Sequence, residues 1–155
     1  MLLTGTYRRS IDDKLRIAMP KMLRECLAKT DIFIAPGNDS ALVIYTAEIL
    51  EEIGRYLGNV SPAAKDARAF NRLFYSQAQP AEIDKQGRLR VPAELASLAR
   101  LTGEVVIVGV RDRLELWNSE AWETFLAGNQ PSYDQLAEQV FETALRNQQS
   151  NRGPE

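Results

Sequence analysis

The sequence predicts a mainly β protein of the α+β class, built from two copies of one unit that share a core. Three observations support this prediction. The chain repeats itself at an offset of 72 residues, each copy alternates short apolar β runs with short helices, and one copy of about fifty residues is too small to bury a core alone. We therefore expect an intramolecular pseudo-dimer with flanking helices, in which strands of one copy complete the sheet of the other.

The composition of the 155-residue chain excludes several classes of catalyst. It contains no histidine, which excludes Ser-His-Asp and Cys-His catalysis and His-ligated metal sites. The single cysteine, Cys26, excludes an internal disulfide and a Cys-rich zinc site, and it favours a reducing, cytoplasmic location. No stretch approaches the roughly 18 apolar residues of a membrane-spanning helix. We expect no metal, no cofactor and no membrane partner.

The internal repeat is visible without gaps. Ten identities relate the copies at this offset: Ile11, Asp12, Arg16, Pro20, Leu23, Thr30, Gly37, Leu42, Glu48 and Glu51 align with identical residues 72 positions later. The same alignment pairs Phe33 with Val105 and Ile34 with Val106. It predicts a first repeat over 1–53, a linking helical segment over 54–77, a second repeat over 78–126, and a C-terminal helix with a disordered tail over 127–155.

Each copy predicts the same elements in the same order. An Asp-led turn precedes a short strand, and Pro20 or Pro92 then opens a short helix, since proline tolerates the first helical position. Two β runs and a closing helix follow, the latter capped by Thr46 or Asn118. The predicted ranges are turns 12–15 and 84–87, strands 16–19 and 88–91, helices 20–28 and 92–99, and β runs 32–35, 42–45, 105–110 and 114–117.

Two further helices and a core follow from apolar spacing. Ser61 and Pro62 predict the start of the linking helix, and a stripe containing Val140 and Phe141 marks a last helix over roughly 132–147. That stripe favours core packing, with docking to a neighbouring subunit as the alternative. The residues predicted to be buried are Met22, Leu23, Cys26, Leu27, Tyr45, Leu95, Leu98, Ala99, Trp117, Trp122 and Phe125.

Charge is distributed in blocks, although the net charge is only −2. Residues 1–29 carry seven basic and three acidic side chains, and residues 65–100 carry seven and four. The segment between them carries one basic and five acidic side chains. Each basic block contains one Asp-led turn, so the repeat places a cationic segment in each copy.

The motifs SIDDKLRIAMP, EIDKQGRLRVP, AFNRLFYSQA and VGVRDRLELW together resemble the MraZ family of bacterial DNA-binding regulators of the division and cell-wall gene cluster. The resemblance extends to about Leu126. It implies a duplicated AbrB-like swapped-hairpin (double-split) β-barrel, a ring-shaped homo-oligomer, and binding to double-stranded DNA at promoter direct repeats in the nucleoid.

The Asp-x-x-x-Arg hairpins are the predicted reading heads. An arginine fork can bind guanine O6 and N7 in the major groove, and nearby basic side chains can bind phosphates. Asp12, Asp84 and Gly87 are expected to support the hairpins by orienting the arginine or shaping the turn. The candidate DNA-binding residues are Arg8, Arg9, Lys14, Arg16, Lys85, Arg88 and Arg90.

Leu15 departs from the resemblance, which implies glycine before the arginine in both copies. Leucine tolerates positive φ poorly, so we expect the first turn to be of another type or strained.

The residues leave two other functions open. Asp12, Asp13 and Asp84 could hold Mg²⁺ for phosphodiester cleavage, although Lys85 replaces Asp13 in the second copy. An antitoxin-like, protein-neutralising module of the same barrel type is the stronger alternative, supported by the acidic stretch from Asn118 onward.

Overall fold

The computed structural model describes residues 1–153 and confirms the α+β class. Residues 1–119 form one compact unit, and the chain from Glu120 onward forms a second. The strands are β1 Thr6–Ser10, β2 Arg16–Ala18, β3 Ile32–Pro36, β4 Leu42–Thr46, β5 Gln79–Ala81, β6 Arg88–Arg90, β7 Glu104–Val110 and β8 Arg113–Asn118. The helices are α1 Lys21–Leu27, α2 Ala47–Leu57, α3 Lys65–Gln77, α4 Ala93–Leu98, α5 Ser119–Asn129 and α6 Tyr133–Asn151.

The two copies interleave in the sheets. A six-stranded antiparallel sheet has the order β1-β7-β8-β4-β3-β5, and β2 pairs with β6 in a separate two-stranded sheet. Strand β1 of the first copy therefore pairs with β7 of the second, while β5 of the second copy pairs with β3 of the first. The central pairing of β4 with β8 joins the copies again.

The pairing of β2 with β6 has local twofold symmetry. Ile17 lies opposite Leu89, its own equivalent at the 72-residue offset, and Arg16 lies opposite Arg90. Since Ala18 lies opposite Arg88, exchanging the copies reproduces the same register. The pairing of β4 with β8 has the same kind of symmetry, and its centre is Val43 opposite its own equivalent, Glu115.

The ungapped alignment is wrong by one residue in β3 and β7. In the hairpins, Ile32 pairs with Thr46 and Val105 pairs with Asn118, so Ile32 corresponds to Val105 at an offset of 73. Both of these residues are buried in the core, whereas Phe33 is only half-buried. The second copy has one extra residue between α4 and β7, and its hairpin connection is one residue shorter. The two changes cancel, so the offset returns to 72 at β4 and β8.

The core lies within residues 1–119 and draws on both copies. It contains Ile17 and Leu89 of the two-stranded sheet, alternate residues of the larger sheet, and Leu23, Leu27 and Leu95 of the short helices. Met22, Cys26 and Leu98 were expected to be buried but are exposed, because helices of seven and six residues present one narrow face to the core. Of the predicted aromatic core residues, Trp117 and Trp122 are buried, whereas Tyr45 is half-buried and Phe125 is 37% exposed.

The helix boundaries differ locally from the expectations. Thr46 caps α2 as predicted, its hydroxyl accepting a hydrogen bond from the Ile49 N–H (3.3 Å). Helix α3 begins at Lys65 because Ser61 instead closes a turn, accepting from the Ala63 N–H (3.2 Å). Helix α6 continues to Asn151, beyond the predicted end at 147, so much of the predicted tail is helical. The last two residues of that tail lie outside the described range. None of the helices within residues 1–153 has the length and hydropathy needed to cross a bilayer.

Candidate nucleic-acid interface

The two-stranded sheet of β2 and β6, here called the ribbon, gathers three of the predicted arginines. Ile17 and Leu89 are fully buried, and neighbouring strand residues point to opposite faces. Arg16, Arg88 and Arg90 therefore share the outward face of the ribbon. Ala18, on the same face, leaves space opposite Arg88. The ribbon consequently presents a cationic outer surface contributed by both copies.

Asp12 organises the first turn. Its Oδ1 accepts hydrogen bonds from the backbone N–H groups of Arg16 (2.8 Å) and Lys14 (3.0 Å), and its Oδ2 accepts from Arg16 Nε (2.8 Å). The Leu15 N–H donates to the Asp12 carbonyl (3.0 Å). One carboxylate thus shapes the turn and orients the arginine. Within residues 1–153, the terminal amino groups of Arg16 remain outside this pairing and are available to a base edge.

Asp84 makes the same contacts in the second turn. Its Oδ1 accepts from the N–H groups of Gln86 (2.9 Å) and Arg88 (3.0 Å), and its Oδ2 accepts from Arg88 Nε (3.2 Å). The arginine side chains are similarly accessible, 26% exposed for Arg16 and 30% for Arg88. The two turns are therefore equivalent in hydrogen bonding.

The first turn was expected to be either of another type or strained, and the structure supports the second alternative. Leu15 has φ 60° and Gly87 has φ 79°, so both adopt the left-handed conformation. Leu15 is strained there, as expected, because its Cβ crowds the following carbonyl. It is also packed against the core, which offsets part of the strain, and it borders a surface cavity that includes Ala96 of α4.

Hydrogen bonding keeps both turn carboxylates ionised. The backbone N–H of Arg16, ahead of its side chain and the Lys14 N–H, lowers the pKa of Asp12 below its ordinary value of 3.8, with burial acting in the opposite direction. The backbone N–H of Arg88 lowers the pKa of Asp84 in the same way. Both turns are thus held by charged carboxylates at neutral pH.

The remaining predicted cations lie at the turns or on the larger sheet. Lys14 and Lys85 are exposed in the turns beside the ribbon. Arg8 and Arg9 belong to β1, and Arg8 Nη1 is bonded to Glu104 Oε1 at 3.0 Å. The structure therefore groups the two lysines with the ribbon arginines and places Arg8 and Arg9 on a different sheet.

Arg24 is a cation near the hairpins that the site prediction missed. It lies on α1, and its guanidinium covers Gly87: a Cβ built on that glycine would be 2.7 Å from Arg24 Nη1. The repeat contained a signal for this contact, because position 24 aligns with Ala96 while Gly87 aligns with Leu15. At the second turn the large residue, Arg24, is on the helix and the small one is in the turn. At the first turn the large residue, Leu15, is in the turn and the small one is on the helix.

The acidic residues that the structure describes do not assemble a metal site. The Asp12 and Asp84 carboxylates are each occupied by hydrogen bonds to their own turn, and Asp13 is exposed. No group of three or more metal-ligating side chains occurs in the part of the chain that the structure describes. The carboxylates within residues 1–153 thus offer no cluster for a hard cation.

The fold and the ribbon define a duplicated α+β protein with a cationic two-stranded element. The family model described as "MraZ protein, putative antitoxin-like" matches the chain twice, over residues 2–73 and 74–144. The chain belongs to the MraZ family. A protein of Lactiplantibacillus plantarum named "Transcriptional regulator MraZ" is 38% identical over 138 residues, covering 89% of this chain and 97% of the relative. One of the same name from Heliobacterium modesticaldum is 39% identical over 142 residues, covering 91% and 98%.

Proposed function

We propose that this chain is a sequence-specific DNA-binding transcriptional regulator that binds promoter direct repeats of the division and cell-wall gene cluster. The observation that carries the proposal is the outward face of the ribbon, where both copies contribute arginines above a buried Ile17–Leu89 pair. A two-stranded ribbon fits the major groove of B-DNA. The names of the relatives support regulation of transcription as the outcome.

Arg16 and Arg88 are the proposed base-reading residues. Each is held through Nε by its own aspartate, so its two terminal amino groups are pre-oriented for guanine O6 and N7. Arg90, Lys14 and Lys85 surround them and supply phosphate contacts, which add affinity without sequence information. Arg8 and Arg9, on β1, are assigned to phosphates at the edge of the same interface.

The interleaved strand pairing supports the AbrB-like swapped-hairpin barrel for residues 1–119. A ring of subunits in the nucleoid completes the proposal, with helix α6 supplying the subunit contact. Its apolar stripe was expected to pack in the core, yet Tyr133, Val140 and Phe141 are each more than 60% exposed. A groove of about 480 Å³ bordered by Phe70 and Leu73 offers an apolar surface for α6 of another copy. A contact between two different surfaces is head-to-tail, which generates rings when it closes.

An antitoxin-like function is the alternative, favoured by the description of the matching family model and by the same exposed α6 stripe. In that case α6 would bind a different protein and not another copy of this chain. Light scattering of the purified chain separates the two: self-association through α6 supports the ring, whereas a monomeric chain favours the alternative.

The decisive experiment measures binding to a fluorescein-labelled duplex taken from directly upstream of the chain's own coding sequence. We expect the wild type to bind this duplex in preference to a scrambled one, and the Arg16→Ala/Arg88→Ala variant to lose that binding. Lys29→Ala/Lys65→Ala is the matched control, since it removes two exposed cations outside the ribbon. Retention of specific binding by the double variant would refute the assignment of the ribbon as the reading head.

A further inference from the structure

We propose that Arg24 binds a DNA phosphate beside the second hairpin and that the first hairpin has no equivalent contact. This inference rests on the proposed function, since it assigns one more residue to the same interface. It makes the two halves of the interface unequal, with the second half carrying the additional phosphate contact.

At the two turns, the copies have exchanged a large residue for a small one. In the second turn, Gly87 leaves the space that the Arg24 side chain occupies, with Cδ and Cζ within 2.9 Å of a hypothetical Cβ. In the first turn, Leu15 takes the corresponding position, and Ala96 replaces the arginine. Arg24 thus covers the second turn, whereas the first turn carries the Leu15 side chain itself and has alanine at the position equivalent to Arg24.

Arg24 is anchored by a hydrogen bond at the end of β2. Its Nε donates to the Met19 carbonyl (3.0 Å), while the Met19 N–H donates to the Gly87 carbonyl (2.9 Å). The guanidinium is therefore tied to the end of β2 and to the second turn together. Arg24 is half-buried, so less conformational entropy remains to be lost when it binds an anion.

The carboxylates that the structure describes near Arg24 do not form ion pairs with it. Asp31, Glu82 and Asp84 border the same cavity of about 420 Å³ as Arg24. Among the described residues, no carboxylate oxygen lies within the 4.0 Å of an ion pair with Arg24, and Asp84 is bonded to Arg88 instead. Among residues 1–153, the Arg24 guanidinium therefore has no ion-pair partner, and it lies against Gly87, the residue that precedes Arg88. A reading ribbon that enters a groove is flanked by phosphates, which are the natural partners of a fixed guanidinium there.

The test is the salt dependence of binding to the upstream duplex, measured by fluorescence anisotropy. The slope of log K against log salt is negative, and each lost phosphate contact reduces its steepness by about 0.9 per engaged subunit. We expect this reduction for Arg24→Gln and not for Arg24→Lys, which keeps the charge. Lys21→Gln is the matched control, since it removes a charge from the same helix at a side chain that is 81% exposed and paired with Glu25. In all three variants, the preference for the upstream duplex over the scrambled one should stay unchanged.

A transplanted variant keeps the test independent of the stability of Arg24→Gln. Leu15→Gly/Ala96→Arg recreates the second arrangement at the first turn and should steepen the slope by about 0.9 per engaged subunit. An unchanged slope for Arg24→Gln, even with weaker binding, would assign Arg24 a structural role and overturn the inference. If Arg16→Ala/Arg88→Ala still abolished binding in that case, the proposed function would stand without the Arg24 contact. Specific binding that survived the double variant would instead refute the ribbon as the reading head, and the Arg24 contact beside it would be overturned as well.

Discussion

Ile17 lies directly opposite Leu89, its own equivalent in the second copy, and neither side chain is exposed to solvent. This pair is the centre of the local twofold that relates the two hairpins. Because both side chains point into the shared core, the arginines on either side of them point outward together. The position of the candidate interface therefore depends on the packing beneath it.

Truncation of either member of this pair is expected to destabilise the protein to a similar extent. Ile17→Ala and Leu89→Ala each remove a fully buried side chain, at a cost of about 2–5 kcal/mol in the free energy of unfolding. Urea unfolding measures this loss. Met22→Ala is the control, because Met22 is 62% exposed and should change stability by about 0.5 kcal/mol at most. Losses of control size at both core positions would contradict the shared core.

Acidification should remove the stabilisation that the two turn carboxylates provide. The pKa values of Asp12 and Asp84 are lowered in the folded protein, so their carboxylates stabilise it above the ordinary value of 3.8, and this contribution disappears as the pH falls through the lowered folded values. We expect Asp12→Asn/Asp84→Asn to be less stable than the wild type by a constant amount above about pH 5, with the gap closing below 3.8. Thermal unfolding across this range measures it, and a gap that widened on acidification would contradict the assignment.

Gly87 and Arg24 should be energetically coupled. Gly87→Leu places a side chain at φ 79°, costing about 1–2 kcal/mol for the left-handed backbone, and it also displaces Arg24. Combining it with Arg24→Ala recreates the Leu15–Ala96 arrangement, so the double variant should be more stable than the sum of the single effects predicts, by about 0.5–3 kcal/mol.

Gly103→Leu provides the control for this cycle. Gly103 has φ 61°, and nothing lies within 4 Å of a Cβ built there, so the substitution has a backbone cost without a steric one. We expect its effect on unfolding to add to that of Arg24→Ala without coupling. Equal coupling at Gly103 and Gly87 would show that the Arg24 contact has no specific role in the second turn.

Self-association is expected to depend on the α6 stripe. Val140→Glu adds a charge to a side chain that is 66% exposed within the stripe, so it should lower the mass measured by light scattering while leaving the helical signal intact. Gln135→Glu adds the same charge on the opposite side of α6 and should leave the mass unchanged. If the wild type is already a monomer, the proposed ring is wrong.

Multivalent binding makes a separate prediction. When several subunits engage neighbouring sites, the second contact occurs at a high effective concentration. A duplex with several direct repeats should therefore bind the wild type much more tightly than a duplex with one site, and Val140→Glu should remove most of that difference. Equal affinities of the wild type for both duplexes would contradict the multivalent mechanism.

Much of the fold could be predicted from the pattern of residues. The recurrence of Asp12 and Arg16 at Asp84 and Arg88 located both turns and the short strands that follow them. These features depend on neighbours within a few residues, such as an aspartate that accepts hydrogen bonds from the backbone just after it. The local sequence is sufficient for them, which is why the two turns have the same hydrogen bonds despite Leu15.

The sequence by itself thus determined the duplication, the turns and the arginines that follow them. Only the tertiary structure decided the one-residue offset between β3 and β7, the exposure of Met22 and Leu98, and the placement of Arg24 over Gly87. Each of these depends on which distant segment packs against the residue. A change in loop length moves a strand's side chains to its other face without altering the apolar pattern, and a side chain on one copy's helix fills a space that the other copy's turn leaves open.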